Sequence, residues 1–394
     1  MAKGTTVERL ETLSCDAGPH PYHFIKLTTA DGVVGWSEYD EAFGPPGLTT
    51  AIDAFAPRVI GKSVIDHERI FAELHAVKRM VFAGATAMAA GAIENALLDA
   101  KAKTLGVPCY ALFGGKMRDR VRVYWSHCGM YRIARTQWYG PPVTDAAGLV
   151  ALGREVRDKG FTAFKTNIIL HENNGLQMWR GGFGGPPFLP EVNVDRKVLK
   201  GIRRTLELMR EGAGPDVDML IDLNFHAKTE GFLEILRAIA DLDMFWVEID
   251  MTDAEKLAYV RSHSPHPIAS CETLLGVRQF QPFMRHQSMD VAIIDALWNG
   301  AWQSMKIAAL AEANEVNIAP HNFNGHLASA ISAHMAAAVP NLRIMEIDID
   351  RVAADAEFFP NPPKFENGYL VVSDAPGWGC DPDEKAVRAR PAKH

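Results

Sequence analysis

The sequence predicts an α/β fold: a modified TIM barrel of the (β/α)7β type with an α+β capping domain formed by the N-terminal region and the C-terminal tail. Three observations carry this. Asp222, Glu248 and Glu272 each close a short apolar run (MLIDLN, MFWVEID, IASCETL), at steps of 248 − 222 = 26 and 272 − 248 = 24 residues, about one strand, one helix and two loops. The register then continues, with VAIIDAL ending near Asp295, VNIAPHN at His321 and LRIMEID at Glu346. Six successive βα units thus place a polar residue at the carboxyl end of a strand, the catalytic face of such a barrel. Before residue 121 the pattern differs, with antiparallel strands first and helices after.

Taken in order, VERLETLSC and FIKLTTADGVVGWSE read as strands, with Asp31-Gly32 as a hairpin turn between two β-like runs. Residues 48–105 read as helices punctuated by Pro57 and Gly61. The run AGATAMAAGAIENALLDAKAKTLG has the small residues that suit close helix packing. Pro108 and Gly114-Gly115 mark a boundary, giving a capping domain over 1–120, a barrel over 121–357 and a tail over 358–394. VRVYWS and AFKTN supply the first two barrel strands, and stretches such as GFLEILRAIADL and MKIAALAEANE the helices. After Glu346 no long closing helix is evident. The β-like stretch PNPPKFENGYLVVSDAPGWG is expected to return to the N-terminal sheet.

One step is irregular. Lys165 to Asp222 spans 222 − 165 = 57 residues, roughly twice the usual βα step. The excess, HENNGLQMWRGGFGGPPFLPEVN, holds Gly175, Gly181, Gly182, Gly184, Gly185 and Pro186-Pro187, which cannot extend a helix, with Trp179, Phe183 and Phe188 as apolar weight. A long loop after a barrel strand lies at the mouth, where it serves as a lid or specificity loop, or else as a subunit contact.

The net charge of −7 offers no basic field for nucleic acid or an anionic membrane. No apolar stretch reaches the ~20 residues of a membrane span, and MAKGTTVERL lacks the apolar core of a signal peptide, so a cytoplasmic location is expected. Five scattered cysteines form no Cys-x-x-Cys pair and indicate neither a disulfide framework nor a zinc site. Cys271 reads as a small buried residue. The acidic residues say more. Three carboxylates delivered to one mouth repel one another unless a hard dication sits between them, so Asp222, Glu248 and Glu272 predict one Mg²⁺ site.

These motifs together resemble the enolase superfamily, specifically its mandelate racemase subgroup, over nearly the whole chain. AIENALLDAKAKTLGVPCYALFGGKMRDRVRVY is similar to the passage from that family's cap helices into its first barrel strand, and GFTAFKTN to its second-strand motif. Asp222, Glu248 and Glu272 match the metal ligands. VAIIDALWNGAWQSMKIAALAEANEVNIAPHN matches the stretch with the family's Asp–His dyad, here Asp295 and His321. The resemblance implies abstraction of a proton next to a carboxylate, with Mg²⁺ stabilising the enediolate. His321 is the implied base, oriented by Asp295. Lys165 and Glu346 are implied auxiliary groups on the substrate carboxylate or enediolate, or alternatively an ion pair bracing the mouth.

One departure is informative. Many subgroup members carry Lys-x-Lys where this chain has Lys165-Thr166-Asn167. Asparagine is no base, which argues against proton transfer between two opposed bases and favours elimination. The Lys-x-Asn form resembles galactonate-type dehydratases. The acid that protonates the leaving hydroxide is either His226 or His321 itself. If the strand persists, Asp222, Asn224 and His226 share one face. Asn167, Asn224, His20, His23, His127 and Trp179 are further candidates for substrate contact, the histidines alternatively being surface or hydrogen-bonded structural residues. The expected activity is dehydration of an aldonate or aldarate to its 2-keto-3-deoxy acid. Epimerisation or cycloisomerisation through the same enolate is the alternative reaction, and a non-catalytic sugar-acid binder the alternative class. The resemblance also implies a homo-oligomer.

Overall fold

The computed structural model describes residues 3–77, 83–182, 186 and 193–392. The N-terminal sheet is antiparallel in the order β1 (Val7–Asp16), β2 (Pro21–Thr29), β3 (Val34–Tyr39). As expected, Asp31-Gly32 forms the β2–β3 turn, where Gly32 has φ +85° and Thr29 N bonds Val33 O at 2.9 Å. One face of the sheet packs Ile25 and Leu27 against helices α1 (Leu48–Val59), α2 (His67–Ala76) and α3 (Gly84–Leu105). Pro57 lies within the last turn of α1, and Gly61 (φ +84°) follows its end.

The small residues of α3 have a physical reason. A Cβ on Gly91 would sit 2.7 Å from the backbone of Asn299 and Gly300, and one on Gly35 2.3 Å from Ala96 O. Backbones touch at both points, so α3 is buried against the sheet on one side and the barrel on the other.

Eight parallel strands follow: β4 (Arg120–Trp125), β5 (Ala163–Thr166), β8 (Asp218–Asp222), β9 (Met244–Glu248), β10 (Ile268–Ser270), β11 (Val291–Asp295), β12 (Asn317–His321) and β13 (Met345–Ile347). They pair in chain order from β4 to β12. The ring closes where β13 pairs with β4 and Ile318 of β12 bonds Asn341 and Arg343 just ahead of β13. Between β5 and β8 lies a short hairpin, β6 (Ile169–Glu172) and β7 (Gly175–Met178), where the sequence reading had only a loop. Phe183, Gly184, Gly185, Pro187 and Phe188 lie outside the described residues. Among the described residues no long helix closes the barrel; the next helical turn after β13 is Asp355–Phe358.

The tail corrects one expectation. Its strands β14 (Phe365–Glu366) and β15 (Tyr369–Val371) join β4, not the N-terminal sheet. The reason is an open edge: β13 occupies only Val123–Trp125, leaving residues 120–122 of β4 for β15. Residues further on do reach the N-terminal sheet, where Arg390 O accepts from Asp16 N at 2.8 Å and Glu384 pairs with Lys26 at 2.7 Å.

Candidate active site

Strand periodicity builds the site. Tyr124, Ala163, Leu220, Trp246, Ile293, Ala319 and Ile344 point into the barrel and fill it as one apolar cluster. Two residues on, the same inward direction returns at the carboxyl ends. There the chain carries Ser126, Lys165, Asp222, Glu248, Asp295, His321 and Glu346. On β10 the inward residue is Ala269, but the strand stops at Ser270 and Cys271 takes φ +91°, a strained conformation for a residue with a Cβ. Glu272 therefore arrives three residues on instead of two. Cys271 itself is buried, and burial raises its thiol pKa, so it is the inert residue expected.

The predicted ligands converge: one oxygen from each of Asp222, Glu248 and Glu272 lies within 4.8 Å of the others. Glu248 has its pKa pushed well up, first by burial and then, against the opposing pull of Lys165, by Asp222, Glu272 and Glu346. Such a set of hard oxygens, short of positive charge, fits Mg²⁺. Lys165 Nζ lies 3.0 Å from both Glu248 oxygens, 3.1 Å from Glu346 Oε1 and 3.7 Å from Asp222 Oδ2. Glu346 is further held by Ser126 Oγ and by Asn322 N at 2.9 Å. Although burial alone would raise it, Glu346 is held well below the usual carboxylate range by Lys165 and His321.

His321 Nδ1 lies 2.7 Å from Asp295 Oδ2, while Asp295 Oδ1 accepts from Leu297 N at 2.7 Å and Trp298 N at 2.8 Å. With one oxygen pinned by backbone, the other can only face the imidazole. This fixes Nδ1 as the protonated nitrogen of the neutral ring and turns Nε2 toward the carboxylates, 3.4 Å from Glu272 Oε2 and 3.9 Å from Glu346 Oε2. Burial opposes the charged ring, but Glu272, Glu346 and the bonded Asp295 together push the His321 pKa well up.

A cavity of about 410 Å³ opens above these groups, within the usual range for small-molecule sites. Asn167, Asn224, His226, His127 and Trp179 all line it. The route of His226 differs from expectation. Strand β8 ends at Asp222, and Asn224 takes φ +44° while its N–H and side-chain amide both bond Asp222 Oδ1, at 2.8 and 2.5 Å. Asparagine favours this local turn, so His226 reaches the cavity around a bend and not by strand alternation. Its Nδ1 meets the Gly181 carbonyl, which can only accept, and burial lowers its pKa. His127 Nδ1 is 3.2 Å from Asp348.

His20 and His23 do not line this cavity. His23 pairs with Tyr39 across the β2–β3 ladder and packs on its ring, and His20 packs against Tyr22 and Phe43. Burial depresses both, His20 to about 4. Conversely, Phe43, Tyr131, Arg135, Trp298 and Phe323 line the cavity and were not singled out. Nor was Asp250, whose carboxylate is raised well up by burial and by neighbouring Glu272 and Asp222. Ser126 was legible from its place two residues beyond Tyr124; the loop residues carry no period that would reveal them.

A barrel with an acidic triad facing a His–Asp dyad defines a class of metal-assisted α-proton-abstracting enzymes. Residues 148–386 match the family described as enolase C-terminal domain-like, and residues 12–114 the mandelate racemase/muconate lactonizing enzyme N-terminal domain. The chain belongs to the mandelate racemase/muconate lactonizing enzyme family of the enolase superfamily. It is similar to a D-galactonate dehydratase family member of Streptomyces bingchenggensis, with 29% identity over 98% of this chain and 93% of the relative. The D-xylonate dehydratase of Haloferax volcanii is 27% identical over 94% of this chain and 86% of its own length. Among solved structures, a Burkholderia xenovorans protein is 57% identical with a TM-score of 0.97, over 99% of this chain and 97% of that one. That protein is described provisionally as an L-alanine-DL-glutamate epimerase, and its structure holds magnesium and fumarate.

Proposed function

We propose that the protein is a Mg²⁺-dependent hydro-lyase that converts an aldonate or aldarate to the 2-keto-3-deoxy acid. One observation carries the reading: the His321–Asp295 dyad faces the acidic triad, while the end of β5, three strands around the ring from β12, carries Asn167, an amide that cannot serve as a second base. The dehydratase relatives support the substrate class. Asp222, Glu248 and Glu272 would hold one Mg²⁺, which would offset the negative charge developing on the substrate carboxylate.

His321 Nε2 takes the C2 proton, and Asp295 holds the ring and stabilises the imidazolium. Lys165 and Glu346 bracket the reacting carboxylate, the lysine as a fixed cation and the glutamate as a hydrogen-bonding group. As the C2–C3 double bond forms, the C3–O bond breaks and the hydroxide leaves as water with the proton from His321. The resulting enol then tautomerises to the 2-keto acid. His226 is the weaker donor, because its Nδ1–H is committed to the Gly181 carbonyl and burial keeps the ring neutral. Its role is to shape the cavity wall.

The provisional description of the Burkholderia relative favours a second reading, epimerisation at the same carbon. That reaction needs a second base, and Asn167, which lines the cavity at the end of β5, is an amide that cannot supply one. NMR-monitored incubation in D₂O with acid sugars and their C2 epimers separates the two. We expect keto-acid product, no interconversion of epimers, and loss of both product and C2 exchange in His321→Asn. Epimer interconversion by the wild type, or exchange at a wild-type rate in His321→Asn, would establish a second base.

A further inference from the structure

We propose that Arg135 forms a distal-carboxylate subsite, so that the substrate is a dicarboxylic acid sugar, an aldarate in preference to an aldonate. The inference rests on the acid-sugar reading of the site and goes beyond it in fixing the group at the far end of the chain.

The charges around the cavity are unevenly matched. Lys165, at its base, is within 3.7 Å of three carboxylates and has no capacity for a second substrate anion. Arg135 also lines the cavity and is half-buried, yet among the described residues no carboxylate lies within 4.0 Å of it and none of its guanidinium N–H groups has an acceptor. Its contact is a ring: the guanidinium sits 5.7 Å from the centroid of Phe43, contributed by the N-terminal domain. A cation–π contact steadies the group without using a hydrogen-bond acceptor, leaving a planar fork of donors that matches a carboxylate.

The backbone is fixed too. Arg135 ends the helix Met130–Ala134 that follows β4, its N–H bonds Tyr131 O at 2.8 Å, and its carbonyl accepts from Trp138 and Tyr139. Phe43 is in turn held edge-on by Phe323 at 5.5 Å, and Phe323 lies 5.2 Å from the His321 ring. One wall therefore runs from the dyad through Phe323 and Phe43 to the arginine. A substrate whose first carboxylate sits at the acidic triad meets a cation at the other end of this wall. A half-buried cation without a counter-ion is costly unless something anionic completes it.

The test measures equilibrium binding of matched aldonate and aldarate pairs, stereoisomer by stereoisomer, to the Mg²⁺-loaded protein by quenching of the cavity tryptophans. Keto-acid formation is followed in parallel. The best-bound aldarate should bind at least tenfold more tightly than its aldonate. Arg135→Met should erase that difference while leaving aldonate binding within twofold, and Arg135→Lys should restore part of it. Equal binding of the pair by the wild type, or equal weakening of both partners in Arg135→Met, overturns the subsite. If the aldarate preference and its loss in Arg135→Met are found but no keto acid forms, the subsite stands and the dehydration reading fails.

Discussion

Glu248 is buried and crowded by Asp222, Glu272 and Glu346, with Lys165 as the cation that opposes them. Glu248→Gln keeps the size of the side chain and its place between Lys165 and Trp246, so the fold should persist. Mg²⁺ affinity measured by calorimetry should fall at least about 100-fold, beyond what loss of an outer-shell partner brings, and turnover with it. Undiminished affinity would mean the ion lies elsewhere. Asp295 offers a sharper separation, since its two oxygens do different work. In Asp295→Asn the carbonyl oxygen can still cap Leu297 N and Trp298 N, while the amide nitrogen presents hydrogens to an imidazole nitrogen that needs an acceptor. Turnover should drop about 10²–10⁴-fold through the wrong tautomer, while urea unfolding shifts by no more than about 1 kcal/mol. A large loss of stability with intact turnover per folded molecule would make the residue a helix cap and nothing more.

At the level of elements, the seam between α3 and the barrel carries its own titrating group. Glu94 is buried there, accepts from Trp302 N, Gln303 N and the Gln303 amide, and has its pKa raised to about 8, first by burial and against the lowering effect of those bonds. The folded pKa exceeds the ordinary value of 4.5, so the native state holds the extra proton between about 4.5 and 8. Stability from this group is present below that window and lost as pH rises through it. Glu94→Gln should therefore flatten the dependence of unfolding free energy between pH 5 and pH 8, and a slope equal to the wild type would show that Glu94 is not the group responsible. Elements also mark where sequence was and was not enough. The βα repeat was legible because a polar residue closes each apolar run in register; that spacing pointed to the triad, and the resemblance supplied the roles of Asp295 and His321. The β6–β7 hairpin escaped because four-residue strands leave no alternation to read. The pairing of β15 with β4 escaped because an open edge is a property of the closed ring and not of either strand. At Asn224 the signal was present, since asparagine after a strand favours a turn, and strand alternation was carried past Asp222, where the strand ends, to His226.

The whole molecule joins its parts at the site. Phe43 from the N-terminal domain lines the same cavity as His321, and Glu38 of β3 accepts from Gly325 N at 2.6 Å and Ala328 N at 3.0 Å, at the start of the helix His326–Ala338 that follows β12. Among the described residues no helix is long and apolar enough to cross a membrane. Because the three carboxylates come from β8, β9 and the turn after β10, only the closed ring assembles them, and an unfolded chain presents no comparable site. On the proposed reading, Mg²⁺ bound there would stabilise the native state by mass action, by about 2.7 kcal/mol at a free concentration 100 times Kd. The melting temperature should rise accordingly with added Mg²⁺ and return to its starting value with a chelator. Far-UV signal and the fluorescence of Trp298 and the other tryptophans should shift together, since the N-terminal domain and the barrel share the site's walls. Glu248→Gln should lose most of this response while Glu94→Gln keeps it, which separates metal linkage from a general effect of removing a buried charge. A Mg²⁺ response of the same size in Glu248→Gln as in the wild type would place the stabilising ion outside the triad.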